Sequence, residues 1–150
     1  MAYTQVSDQA KHDGVIIEGL SEALVNHSDL VQKYFMTKAV DVDEHRLTAL
    51  HTALVNGGIF VYVPKNTVVE HPIQYVVLHD DEQASFYNHV IIVTEESAEV
   101  TYVENYLSTT SGEDNQLNIV SEVIAGANSN VTYCLLYTSD AADDTPCGDL

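Results

Sequence analysis

Seven histidines, a set of strand-borne glutamates and two cysteines are the residues of this chain that could do chemistry. The histidines are His12, His27, His45, His51, His71, His79 and His89. Imidazole is the commonest metal ligand, and a helical metal pair needs two of them at i and i+4. That spacing is absent, and His45 and His51 fall on different faces of one helical stretch. His71 and His79 are eight apart on strand segments and share a face where no bulge or turn intervenes. Surface or hydrogen-bonded histidines are the preferred reading. Glu70, Glu99 and Glu104 could furnish an acid and a base for glycoside chemistry, which requires two carboxylates a defined distance apart across a cleft. A solvated strand face is favoured for them. Tyr62, Tyr75, Tyr102, Tyr106 and Tyr133 recur at strand positions, where aromatic packing between neighbouring strands accounts for them without a sugar platform.

Cys134 and Cys147 both lie in the last 17 residues, so the first 133 hold no thiol for a nucleophile, a disulfide or a thiolate metal site. No phosphate loop of the G-x-x-x-x-G-K-[ST] kind, no G-x-G-x-x-G, no G-x-S-x-G and no H-E-x-x-H is present. ATP hydrolysis is therefore not expected of this chain, and no residue is assigned as catalytic, cofactor-binding or metal-binding.

Bulk composition narrows the class further. The 23 acidic against 5 basic residues give a formal charge of −18, which repels phosphate backbones and anionic lipid; nucleic acid and membrane are not expected partners. No apolar run approaches the roughly 20 residues that span a bilayer, and no signal-peptide pattern opens the chain. A cytoplasmic, single-domain protein with a real core is expected.

The elements that position these residues change character along the chain. Residues 1–13 read as loose, and Val15-Ile16-Ile17 behind Gly14 suits a strand. Ser21 and Ser28 read as N-caps of two short helices, the second carrying Leu30, Val31, Tyr34 and Phe35 at helical spacing. Residues 43–55 read as the clearest helix, with Asp43 at its start, Leu47, Leu50, His51 and Leu54 on one face, and Asn56-Gly57-Gly58 as its stop. From Ile59 onward the apolar period switches to strand alternation.

The second half matches itself at a shift of 31 residues. Val61, Ile92 and Val123 correspond; Asn66, Ser97 and Asn128 supply a turn; Val69, Val100 and Val131 restart a strand; and Val100-Thr101-Tyr102 recurs as Val131-Thr132-Tyr133. Tyr75 aligns with Tyr106 and Phe86 with Leu117. A unit of strand, polar turn and strand at fixed interval stacks its apolar positions in columns, as the coils of a parallel β-helix do. A two-sheet sandwich of hairpins is the competing architecture, with Glu95-Glu96-Ser97 as a hairpin loop.

The stretch from Leu47 to Asn66, with Gly57-Gly58-Ile59-Phe60-Val61-Tyr62-Val63-Pro64-Lys65 at its centre, followed by Val69-Glu70-His71-Pro72-Ile73-Gln74, resembles the shared signature of the SufB/SufD family of iron–sulfur cluster assembly proteins. The resemblance continues through Asn88-His89-Val90-Ile91-Ile92-Val93, Val100 to Tyr106, Asn118 to Val123 and Asn130 to Tyr133, and covers residues 14–133. The cluster-building SufB branch of the family carries a cysteine near the position of Tyr106, just after the glutamate matched by Glu104; tyrosine there points to the SufD branch. The resemblance implies a right-handed parallel β-helix preceded by a small α/β segment. It implies a non-catalytic subunit that pairs with a SufB-type paralogue and engages the SufC-type ATPase. The iron–sulfur cluster and ATP would enter through those partners, with no cofactor in this chain. A β-helix polysaccharide lyase or hydrolase is the alternative function, disfavoured because only Lys65 is basic after Arg46.

Family members run to several hundred residues, so the chain is expected to hold the end of the N-terminal helical region (1–57) and the first coils (58–133). Residues 134–150 lack the preceding patterning, and their opening, Cys134-Leu135-Leu136-Tyr137-Thr138-Ser139, resembles a translated sequencing-adapter sequence. They are expected to be a non-native tail.

Overall fold

The computed structural model describes residues 2–4, 13–79, 85–108, 117–137 and 147–149. These residues are mainly β with a few helices. The strands are β1 (Ala2–Thr4), β2 (Ile16–Gly19), β3 (Gly57–Val63), β4 (Ile73–His79), β5 (Phe86–Thr94), β6 (Glu99–Ser108), β7 (Leu117–Ala125), β8 (Asn130–Tyr137) and β9 (Cys147–Asp149). The helices are α1 (Leu20–Asn26), α2 (Ser28–Tyr34) and α3 (Arg46–Leu54).

From β3 to β8 successive strands alternate between two sheets, and β9 then folds back on β8. One has the order β2-β3-β5-β7 and the other β1-β4-β6-β8-β9, and neither closes on itself. The inner neighbours run parallel, while β1, β2 and β9 add antiparallel edges. The 31-residue interval is the pairing register: Val61 lies beside Ile92 and Ile92 beside Val123, Phe86 beside Leu117, and Val100 to Tyr102 beside Val131 to Tyr133.

The turn between the sheets repeats as well. Asn66, Ser97 and Asn128 take φ of 60°, 58° and 57°, a left-handed conformation that asparagine tolerates better than most residues. Asn66 N–H donates to Glu96 O at 3.0 Å and Ser97 N–H to Ala127 O at 2.9 Å, so each turn is hydrogen-bonded to the one stacked on it. Glu95-Glu96-Ser97 therefore carries the chain from one sheet to the other instead of closing a hairpin.

The interval fails at one place. Val68 still bridges Glu99, 31 residues on, but Tyr75 lies beside Glu104, not Tyr106. The segment Glu70-His71-Pro72 takes up the slack, and Pro72, which has no N–H to give a ladder, sits immediately before β4 resumes.

The helices depart from the sequence reading at their ends. Gly19 and His27 occupy the N-cap positions of α1 and α2, so neither Ser21 nor Ser28 caps. Helix α3 starts at Arg46, three residues later than Asp43 would place it. His45 caps it through Nδ1, which accepts Leu47 N–H at 3.1 Å, while Thr48 Oγ1 accepts His45 N–H at 3.0 Å. Imidazole competes here because its ring nitrogen sits where a carboxylate oxygen would. Residues 2–4, read as loose, form an edge strand on β4. At the other end β8 runs past Tyr133 to Tyr137, because Leu135 falls on the inward side and packs against the core between the sheets.

Two cores flank the four-stranded sheet. Between the sheets lie Ile59, Val61, Val63, Tyr75, Val90, Ile92, Val100, Tyr102 and Val131. On the outer face, α1 and α2 press Leu20, Ala23, Val31 and Tyr34 onto Phe60, Ile91 and Val93. Strands β3 and β5 are thus buried on both sides, which explains their nearly continuous apolar sequence.

Candidate functional site

Asn88 and His89 follow Tyr87 at the start of the buried run of β5, and both are fully buried. Successive strand side chains face opposite ways, so His89 enters the outer core and Asn88 the core between the sheets. Each becomes the centre of a separate polar cluster.

On the outer side, His89 Nε2 lies 2.8 Å from Glu122 Oε1, and His89 Nδ1 lies 3.0 Å from His51 Nε2. His51 Nδ1 in turn meets Asn118 Oδ1 at 2.8 Å. Glu122 Oε1 accepts Met36 N–H at 2.7 Å, and its Oε2 accepts Val40 N–H at 3.3 Å. Met36 leaves α2 with φ 51°, so the carboxylate satisfies a backbone donor held in a left-handed turn. Phe35 covers the pair, its ring centroid 4.5 Å from that of His89. The line of side chains runs from α3 across β7 and β5 to the exit of α2.

Proton accounting sets its polarity. With the Asn118 amide oxygen facing it, His51 Nδ1 is the donor, and burial holds the His51 imidazole below its ordinary value, in the neutral form. Its Nε2 then accepts from His89 Nδ1–H. One further proton is shared between His89 Nε2 and Glu122 Oε1. Every ring nitrogen has a partner, as buried polar groups require.

On the inner side, Glu104 is fully buried in β6. Its Oε1 accepts from Tyr106 OH and from Asn88 Nδ2, the latter at 3.3 Å, and its Oε2 accepts from Tyr133 OH. Asn88 Oδ1 accepts Tyr75 OH at 2.9 Å. Burial raises the Glu104 carboxyl above its ordinary value, and the hydrogen bonds from Tyr106, Tyr133 and Asn88 only partly offset that. Tyr75, Tyr102, Tyr106 and Tyr133 are all pushed up, first by burial and then by the Glu104 charge, and remain neutral phenols. The Tyr102 and Tyr133 rings stack at 5.4 Å between centroids, as tyrosines in register on adjacent strands should.

These positions correct the sequence reading of the carboxylates. Glu104 is no solvated strand residue, whereas Glu70 and Glu99 are exposed, so the three glutamates are not brought together. Of the histidines, His45 is a cap, His27 and His71 lie outside the cores, and His51 and His89 meet. His12 and the side chain of His79 fall outside the described residues. Among the described residues no group of three or more His, Cys, Asp or Glu is placed to hold a metal ion. Sequence reasoning missed His51, His89, Asn118, Glu122 and Asn88 as partners. The available signal was a polar pair at the head of an otherwise apolar strand, which must find partners when buried.

The alternating parallel sheets, the stacked turns and the closed polar clusters define a repetitive β scaffold, and comparison with known proteins places it. Residues 1–75 match the SufBD protein N-terminal region, and residues 76–143 match the SufBD core domain of SUF-system FeS cluster assembly. The chain belongs to the SufBD family. It is 54% identical over 132 residues to the iron-sulfur cluster assembly protein SufD of Bacillus subtilis, covering 88% of this chain and 30% of that protein. SufBD family proteins of Staphylococcus saprophyticus and Staphylococcus aureus are 27% identical over 133 residues, covering 89% of this chain and 28% of each. The chain thus spans less than a third of the length of these relatives.

Proposed function

We propose that the chain is part of a SufD-type, non-catalytic subunit of a cytoplasmic iron–sulfur cluster assembly complex, the end of its N-terminal region and its first coils, which pairs with a SufB-type paralogue and engages a SufC-type ATPase. Its two sheets are faces of a parallel β-helix, right-handed as crossover chirality favours. The cluster is cargo, and both cluster and ATP are handled through the partners.

The observation that carries this reading is the family match across both segments together with the 54% identity to the Bacillus subtilis SufD. Two structural features support it. The strands alternate between sheets at the 31-residue register, which is how stacked coils pair. The buried carboxylates and imidazoles, Glu104, Glu122, His51 and His89, are all committed to internal hydrogen bonds, as befits scaffolding.

The test is co-expression of the full-length gene product carrying this sequence with SufB- and SufC-type proteins from the same organism, followed by affinity purification through a tag on the SufB-type protein. Recovery of all three in fixed ratio is expected. A well-folded full-length protein that does not co-purify would overturn the reading.

A further inference from the structure

Helix α3 is oriented opposite to its apolar pattern. His51 is fully buried against the sheet, whereas Leu47, Leu50 and Leu54 are 51%, 44% and 44% exposed. At about 100° per residue the three leucines lie on one flank of His51, and Thr48 and Val55 lie on the other. The second flank is occupied: Thr48 Oγ1 donates to Val42 O at 3.1 Å, and Val55 packs against the outer core. Among the described residues no comparable cover lies on the leucine flank.

The sheet places that flank. His51 reaches Asn118 on β7, and among the described residues β7 is the last strand of its sheet, with only β5 beside it. Leu117, at the start of β7, is 51% exposed. An open strand edge next to the helix that carries an uncovered leucine stripe is an unsatisfied combination, since the edge leaves backbone donors and acceptors without partners. The curated relatives are more than three times as long as the part this chain matches, so further chain exists in them to occupy it.

We propose that the leucine stripe of α3 is a roof over the next strand of the repeat: a parallel strand added to the free edge of β7, contributed by the chain that follows β8 in the longer relatives, packs its outward apolar side chains beneath Leu47, Leu50 and Leu54. The helix thereby ties the N-terminal region to a coil beyond the one its own buried histidine contacts. This rests on the parallel β-helix reading above. The occupant is the continuing chain, and its outward residues at the roof are aliphatic, because the stripe offers no polar partner.

A chimera tests it, with residues 1–137 of this chain joined to the remaining length of the Bacillus subtilis relative. Leu50→Cys and, as a control, Val25→Cys are introduced separately; Val25 is 82% exposed. Maleimide labelling is timed under native and denaturing conditions, with the parent chimera, which carries Cys134, as background. The thiol at position 50 is expected to label at least about tenfold more slowly than that at position 25 in the native protein, and equally fast in urea. Equal native rates overturn the proposal. Protection that disappears on dilution overturns it too, since a second copy would then be the cover. Exchange of the β7 amides that point away from β5, in the same chimera, separates the two readings. Protection of those amides with a reactive thiol at position 50 sinks the roof alone, whereas their free exchange sinks the continued coil and the roof with it.

Discussion

His89 Nε2 and Glu122 Oε1 are 2.8 Å apart on adjacent strands, both side chains fully buried, and Glu122 also accepts the backbone N–H of Met36. This contact joins the sheet to the segment leaving α2. Its energetic weight lies in what its loss would expose, for a buried partner left behind has no water to turn to.

Glu122→Leu is expected to destabilise the protein by about 3 kcal/mol or more, because it strips acceptors from His89, Met36 and Val40 together. Glu122→Gln, which keeps an acceptor oxygen, should cost less. Urea unfolding followed by circular dichroism measures both. Equal, small effects would show that the contact is energetically idle.

The two polar clusters give pH effects of opposite sign. His51 is held below the ordinary imidazole value of 6.5, so on acidification the unfolded chain takes up its proton first. The stability of wild type relative to His51→Gln should therefore be fully present above pH 6.5 and fall as pH drops below it. Glu104 is held above its ordinary value of 4.5, so the unfolded chain ionises first as pH rises. Wild-type stability relative to Glu104→Gln should be greatest below pH 4.5 and fall as pH climbs through the raised value. Unfolding curves at stepped pH for the three proteins, compared as difference profiles, check both slopes; a slope of the wrong sign in either comparison rejects the corresponding assignment.

Gly58 has φ 153°, and a Cβ there would lie 2.1 Å from the carbonyl oxygen of His89. The obstacle is the backbone of the neighbouring strand, which cannot rotate away. Gly58→Ala is expected to cost about 3 kcal/mol or more, or to abolish soluble expression. A midpoint within a degree or two of wild type in thermal unfolding would contradict the β3–β5 register.

Ser97 sits between Asn66 and Asn128 in the column of left-handed turns, and its Oγ accepts from Asn128 Nδ2 at 3.1 Å. Ser97→Asn should raise stability by up to about 1 kcal/mol, since asparagine tolerates this conformation better and can still accept the Asn128 amide. Ser97→Val, a β-branched residue at positive φ, should lower it by more than that gain. Paired urea titrations measure the two.

Much of the architecture was legible in the chain because a stacked repeat writes its register into the sequence. Val61, Ile92 and Val123 recur at one interval and pair at that interval, and the turn residues recur with them. The misreadings arose where local chemistry had near-equal options. Asp43 and His45 can each cap a helix, and the loop before α3 decided for His45. Tyr75 and Tyr106 match as letters at the 31-residue shift, yet the slack that Glu70-His71-Pro72 introduces sets Tyr75 beside Glu104.

The polar clusters were not legible, because each joins residues from several elements. Glu104 and Glu99 look alike in sequence, yet one is fully buried and the other exposed, since strand alternation turns them to different environments only once the register is set. His51 shares its helix with three leucines, and the apolar pattern alone would have buried the leucines. The sequence by itself determined the repeat, the strand-rich class and the family, all of which depend on local pattern and spacing. Tertiary structure alone decided which acids and histidines lose water and whom they meet, because desolvation and hydrogen-bond partnership depend on distances between segments far apart in the chain.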